Sequence, residues 1–281
     1  MTDYRKRFVR DAGERGFVLT ERDVAAVLLT WDHRWLTRPQ YQRLLEMPCV
    51  ARTNHLLRRL WDHTYLERLK VGTVGGGMQP VYTVGPTGIP LVANRTDHGL
   101  AQIRARVRED GRAGAVLLPH DLEVNDLRIA VTLAIDRHAA TALDCWLTAD
   151  RCYDASTDGV FRPDGYFRIW SRGVLASYFL ELDRGTMNLT RWSQKVSRYL
   201  RYRDSGAYTA RYSLERFRVL VTAPSDRRLR ELREATARLT GRGFWFGLTS
   251  EIIANPAPDQ PIWHPVGADR PRALVTAEGG H

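Results

Sequence analysis

A chain of 281 residues exceeds the usual size of one domain, and a composition of 43% hydrophobic and 26% charged residues is globular, so two domains are expected. No apolar run approaches a membrane span, and the opening MTDYRKRFVRDAGERG lacks the apolar segment of a signal peptide. Cys49, Cys145 and Cys152 are odd in number and unclustered, which excludes a disulfide framework and a CxxC metal knuckle; a reducing cytoplasm is the expected location. The formal charge is +10 and uneven, with residues 1–118 holding 19 Lys and Arg against 12 Asp and Glu. A basic first part suits a polyanion, nucleic acid first. Since all but three of the basic residues are Arg, part of this charge is compositional bias.

From Thr20 the pattern predicts three helices and a hairpin. TERDVAAVLLTWDH has Thr20 as N-cap and apolar positions 24, 27, 28 and 31 at helical spacing. TRPQYQRLLEM starts a short second helix, with Thr37 as cap and Pro39 in the first turn, where a missing N–H costs little. In VARTNHLLRRLWDHTYL, Leu56, Leu57, Leu60 and Trp61 face inward. Its outward set, Arg52, Asn54, His55, Arg58 and Arg59, has the side chains that reach phosphates and base edges. YLERLKV and PVYTVGPTG alternate as strands around the tip GTVGGGMQ. Its glycines join two strands and open no helix, so the tip is not a phosphate-cradling loop. Three helices followed by a two-stranded wing is the winged-helix plan, in which the third helix enters a DNA major groove. The same scaffold can also serve protein contacts alone. The expected boundaries are 1–93 for this domain and 94–118 for an Arg-rich connector, helical from His98 to Glu109.

The remainder, 119–281, reads as helix (HDLEVNDLRIAVTLAIDRH), three strands (LDCWLTADRCYD, VFRPDGYFRIW, LASYFLELD), helix (TRWSQKVSRYLRYRDSG), strand (FRVLVTA), helix (SDRRLRELREATARLT) and strand (GFWFGLTSEII). That order predicts a mixed α/β domain, α+β for the chain as a whole. If the second and third strands turn about Arg172 and Gly173, Asp164 faces Glu181 and Arg162 faces Asp183. Opposed like charges destabilise a strand pair by about 0.2–1 kcal/mol, so something must offset them: a metal ion, a basic neighbour such as Arg162, or solvent. Alternation puts Arg162, Asp164 and Tyr166 on one face with Phe179, Glu181 and Asp183, and leaves the other face apolar. Asn125 has helical spacing with Leu122 and Ile129 and is expected to point at the sheet, with Asp121 one turn earlier. His120 and Asp121 also suit an N-cap and a first-turn carboxylate.

This arrangement resembles the core of the PD-(D/E)xK nuclease superfamily, with Pro163–Asp164 in place of the first carboxylate and Glu181 in place of the second. The resemblance implies a nuclease-like mixed-sheet domain, which here follows the winged helix read from the first part of the chain. It also implies Mg²⁺ held by carboxylates on adjacent strands, here Asp164, Glu181 and Asp183, with a lysine at the attacking water. An acidic residue on the first helix, here Asp121, would complete the catalytic set. The pattern departs from the superfamily in one place: the lysine expected two residues after the second carboxylate is Asp183. Lys195, four residues before Tyr199, resembles the helical Q-h-x-x-Y signature of RecB-like members and is the candidate replacement; a solvent-pointing lysine is the plain alternative.

LTERDVAAVL…WDHRWLTRPQYQRLL, HDLEVNDLRIA, RPDGYF and FLELDRGT…KVSRYLRY resemble the replication-relaxation family of plasmids and integrated elements, over roughly Leu19 to Leu248. The resemblance implies a DNA-binding protein acting in replication, DNA relaxation or its regulation. Its partners would be double-stranded DNA and other replication or transfer proteins of the element, with a homodimer compatible and no membrane involved. The alternative is an active Mg²⁺-dependent endonuclease targeted by the winged helix. Two further readings concern the helix after the hairpin: Tyr199 or Tyr202 as a nicking nucleophile, or Arg198, Tyr199, Arg201, Tyr202 and Arg203 binding DNA by charge and stacking.

Overall fold

The computed structural model describes residues 9–11, 17–72, 78–112, 118–155 and 161–275. Residues 73–77, most of the expected wing tip, lie outside that set. The chain divides into two compact units, 1–125 and 126–281.

The first unit runs α1 (Glu21–His33), β1 (Leu36–Thr37), α2 (Arg38–Leu44), α3 (Val50–Asp62), β2 (Leu66–Gly72), β3 (Met78–Val84), α4 (Gly88–Arg95) and α5 (Leu100–Gly111). Thr20 and Asp23 form a reciprocal capping box at the start of α1, satisfying helix N–H groups that have no partner within the helix. Thr37 caps α2 with Pro39 in its first turn. The three strands pair antiparallel in the order β1-β3-β2, which completes a winged-helix element order. Leu57, Leu60, Leu66 and Val81 are fully buried beneath α3 and the sheet.

The segment expected as a separate connector belongs to this unit. Ile103 of α5 is fully buried, the Trp35 indole N–H donates to the Asp110 carbonyl at 3.2 Å, and Arg34 forms an ion pair with Asp110. Burial of Asp110 beside a guanidinium is what converts an Arg-rich helix from a solvated spacer into a packed element.

The helix α6 (Leu118–Arg137) carries the chain past the division at Asn125, which therefore falls inside a helix and not at residue 118. Asn125 does not point at the second unit's sheet as expected. Its amide donates to the carbonyls of His33 and Trp35, at 3.1 and 2.7 Å. These flank Arg34, whose φ of 67° ends α1 and leaves carbonyls in need of donors.

The second unit continues with β4 (Thr141–Thr148), α7 (Ala149–Cys152), β5 (Gly165–Ser171), β6 (Val174–Leu182), α8 (Leu189–Asp204), α9 (Ala207–Tyr212), β7 (Arg218–Ala223), α10 (Asp226–Ala237), β8 (Phe244–Leu248), α11 (Thr249–Ala254) and β9 (His264–Pro265). The sheet order is β4-β5-β6-β7-β8-β9, antiparallel from β4 to β6 and parallel from β6 through β8. Helix, three-strand meander, helix and parallel strand is the element order expected from the sequence, and it builds a mixed sheet. The hairpin register is as the turn predicts: Gly165 opposes Leu180 and Tyr166 opposes Phe179. Arg172 (φ 49°) and Gly173 (φ 79°) both sit in the left-handed region, as a two-residue turn of this twist requires.

The face carrying Tyr166, Phe179 and Glu181 is covered by helices. Tyr166, Phe179, Val219, Val221 and Phe246 pack there against Trp192, Val196 and Tyr199 of α8, Tyr208 and Tyr212 of α9, and Leu229 and Leu232 of α10. Helices cover this face because the parallel connections from β6 to β7 and from β7 to β8 must cross it. The opposite face is buried too, through Phe167, Tyr178, Leu180 and Trp245.

Candidate functional site

Glu181, near the end of β6, lies under α8 and is only 3% exposed. Both carboxylate oxygens accept hydrogen bonds: Oε2 from the Lys195 ammonium, and Oε1 from the Tyr199 hydroxyl at 2.5 Å. Lys195 and Tyr199 are one helical turn apart, so one face of α8 delivers both donors to one carboxylate. The Lys195 ammonium therefore stands beside the crowded carboxylates Glu181 and Asp164 and offsets their charge. Asp164 stands just before β5; its N–H donates to the Leu180 carbonyl at 3.1 Å, and its Oδ2 accepts from the Leu182 N–H at 2.8 Å.

The electrostatics follow from burial. Desolvation pushes the Glu181 carboxyl up to about 8, with Lys195 pulling the other way and Asp164 adding to the rise. Burial opposes the charge on Lys195, but Glu181 and Asp164 outweigh it and hold its pKa above the ordinary value. Tyr199 is raised well above the ordinary phenol by burial and by Glu181.

Asp183 does not join this cluster. The Arg228 guanidinium clasps it from α10, Nε to Oδ2 at 2.7 Å and a terminal nitrogen to Oδ1 at 3.0 Å, and the Gly185 N–H adds a bond at 2.8 Å. Arg162, expected opposite Asp183, lines the pocket beside Glu181. Asp121 sits in the first turn of α6, on the first unit's side of the division. Among the described residues, no three His, Cys, Asp or Glu side chains are gathered so as to hold a metal ion. The donor set agrees: Glu181 and Asp183 have both oxygens engaged, and one oxygen of Asp164 is committed to backbone. As arranged, the expected set of Asp164, Glu181 and Asp183 is not gathered as one metal-binding group among the described residues, since Asp183 is held by Arg228.

Above Glu181 opens a pocket of about 340 Å³, lined by Arg162, Pro163, Met187, Arg191, Gln194, Lys195, Arg198 and Tyr199 among others. Arg162, Arg191 and Arg198 are exposed. These rim arginines were not singled out together beforehand; the signal was the spacing of 191, 195 and 198 on one face of α8. The two tyrosines read as possible nucleophiles are buried and hydrogen-bonded. Tyr199 and Tyr202 are each 1% exposed and donate to Glu181 and Asp154. The expected stacking of DNA bases on these rings fails for the same reason: both are core side chains.

In the first unit, α3 separates its basic residues into two kinds. Arg52, Asn54 and His55 are exposed. Arg58 donates to Asp62 at 2.9 Å and to the Val9 carbonyl at 2.5 Å, and lies over the Trp61 ring. Arg59 pairs with Asp23, the fully buried acid of the α1 capping box, and covers Phe17. Both were expected to reach outward; both are instead engaged within the unit. A groove beside them, lined by Arg22, Leu45, Met47, Arg52 and His55 among others, has a volume of about 930 Å³.

The chain thus joins a unit of helices and a three-stranded antiparallel sheet, with exposed polar side chains on its third helix, to a unit built on a six-stranded mixed sheet with a pocket rimmed by arginines. The family model described as Replication-relaxation matches residues 29–216, and the chain belongs to that family. A solved structure of the restriction endonuclease FokI is similar at 12% identity and a TM-score of 0.29, covering 86% of this chain and 46% of the FokI chain, so this chain spans less than half of that enzyme's length. A comparison with curated proteins returned no match. Among the described residues, no helix is long and apolar enough to cross a membrane.

Proposed function

We propose that this is a DNA-binding protein of a plasmid or integrated mobile element, acting in replication, DNA relaxation or its regulation, whose nuclease-like sheet serves binding. The family supports a replication-related role. The observation that carries DNA binding is the exposed set Arg52, Asn54 and His55 on the third helix of a winged-helix unit, where a groove-reading helix presents its base-contacting side chains. A cytoplasmic location, a homodimer and contacts with other proteins of the element fit this reading. Its test is fluorescence anisotropy of a labelled duplex with the full chain. Substituting Arg52 and His55 together by Ala is expected to weaken binding about tenfold and lower its salt slope. Unchanged affinity and slope would remove α3 from the interface.

A second reading, Mg²⁺-dependent cleavage, is favoured by one observation: Lys195 stands on Glu181, where a displaced catalytic lysine would be needed. It requires Glu181 to give up the bonds from Lys195 and Tyr199 so that a metal can bind. Incubating supercoiled DNA with Mg²⁺ or Mn²⁺ tests it: nicking that Asp164→Ala abolishes would establish cleavage, and its absence leaves the binding reading.

A further inference from the structure

We propose that the pocket over Glu181 is a metal-independent binding site for a backbone phosphate of DNA, with the Lys195 ammonium as its fixed central cation. The inference rests on the DNA-binding reading above and goes beyond it in assigning a second contact, on α8. An ammonium has three N–H donors. Glu181 takes one, and Lys195 lines the pocket that the others can serve. With its other oxygen held by Tyr199, Glu181 has both oxygens engaged and acts as an anchor that fixes the ammonium at the pocket floor.

The other charged side chains of the lining are all cationic. Arg191 and Arg198 stand one turn to either side of Lys195, and Arg162 comes from the segment before β5. Guanidinium forks match the oxygens of a phosphate, and a fixed ammonium supplies the point charge that a metal would supply. Glu181 is the one acidic side chain lining the pocket among the described residues, and Lys195 covers it, so an incoming anion meets positive charge.

The test is duplex binding by the full chain, at matched ionic strength, with EDTA and with Mg²⁺. Lys195→Ala risks unfolding, so the exposed pair Arg191→Ala/Arg198→Ala carries the test, alongside Arg52→Ala/His55→Ala. The expected result is wild-type binding that EDTA leaves intact, and a pocket double variant about tenfold weaker with a salt slope reduced by up to about 2. Wild-type affinity and slope in the pocket variant would overturn the proposal, as would wild-type binding that EDTA abolishes. If only the α3 variant is unimpaired, the reading of α3 fails and the pocket stands. A wild-type chain that binds no duplex in either buffer overturns both.

Discussion

Helices α3 and α8 carry similar runs of arginine and put them to different uses. On α3 the residues closest to the core, Arg58 and Arg59, are spent on Asp62 and on the buried Asp23, and only the outer residues Arg52, Asn54 and His55 face solvent. On α8 a lysine is spent on the buried Glu181 while Arg191 and Arg198 stay exposed at a pocket rim. The difference teaches that the number of basic residues on a helix says little about binding. What matters is which of them have a buried acid within reach, because a buried carboxylate without a cation costs more than an exposed cation gains.

The largest expected effect belongs to the Lys195–Glu181 pair. Lys195→Ala leaves Glu181 buried without its cation, so it is expected to cost about 1–3 kcal/mol in urea unfolding at neutral pH, rising as pH passes through about 8 and the carboxyl would otherwise ionise. Adding Glu181→Gln should restore most of that loss, since a neutral amide needs no counter-charge. A loss near zero for the single variant would mean that the ammonium is not the charge partner.

The same pair sets a pH dependence of the next size. Burial raises the folded pKa of Glu181 above its unfolded value, to about 8. The folded state then holds this proton more tightly than the unfolded state. Its stabilising contribution is fully present below about 4.5 and is lost as pH rises through about 8. Wild-type stability is expected to fall relative to Glu181→Gln across that window; a difference constant with pH would contradict it.

On α3 the comparison sharpens at smaller scale. Arg59→Ala is expected to cost about 1–2 kcal/mol in thermal or urea unfolding, because Asp23 loses its cation. Arg52→Ala, exposed, should stay within about 0.5 kcal/mol of wild type while weakening duplex binding. Equal stability losses for the two would erase the distinction between spent and exposed arginines.

Local patterns made much of this legible in advance. The hairpin register follows from Arg172–Gly173 and strict alternation, and Lys195 meets Glu181 because helical spacing ties it to the Trp192–Val196–Tyr199 stripe. Long-range partners were not legible. Arg228 reaches Asp183 from 45 residues away, and Asn125 turns to the carbonyls around Arg34, because tertiary packing selects among several polar groups that the sequence leaves equivalent. Alternation identifies which residues share a face, but only the crossover connections decide that helices cover it. Short elements such as α4 and α9 carry too little periodicity to announce themselves.

The proposed phosphate pocket requires that Lys195, and not a metal ion, holds Glu181. The most direct measurement is a crystal of the full chain soaked in Mn²⁺ and examined at the manganese absorption edge. The account predicts no anomalous peak between Asp164 and Glu181, with the Lys195 ammonium still bonded to Glu181 Oε2. A manganese ion bound by both carboxylates, with Lys195 displaced, would contradict it.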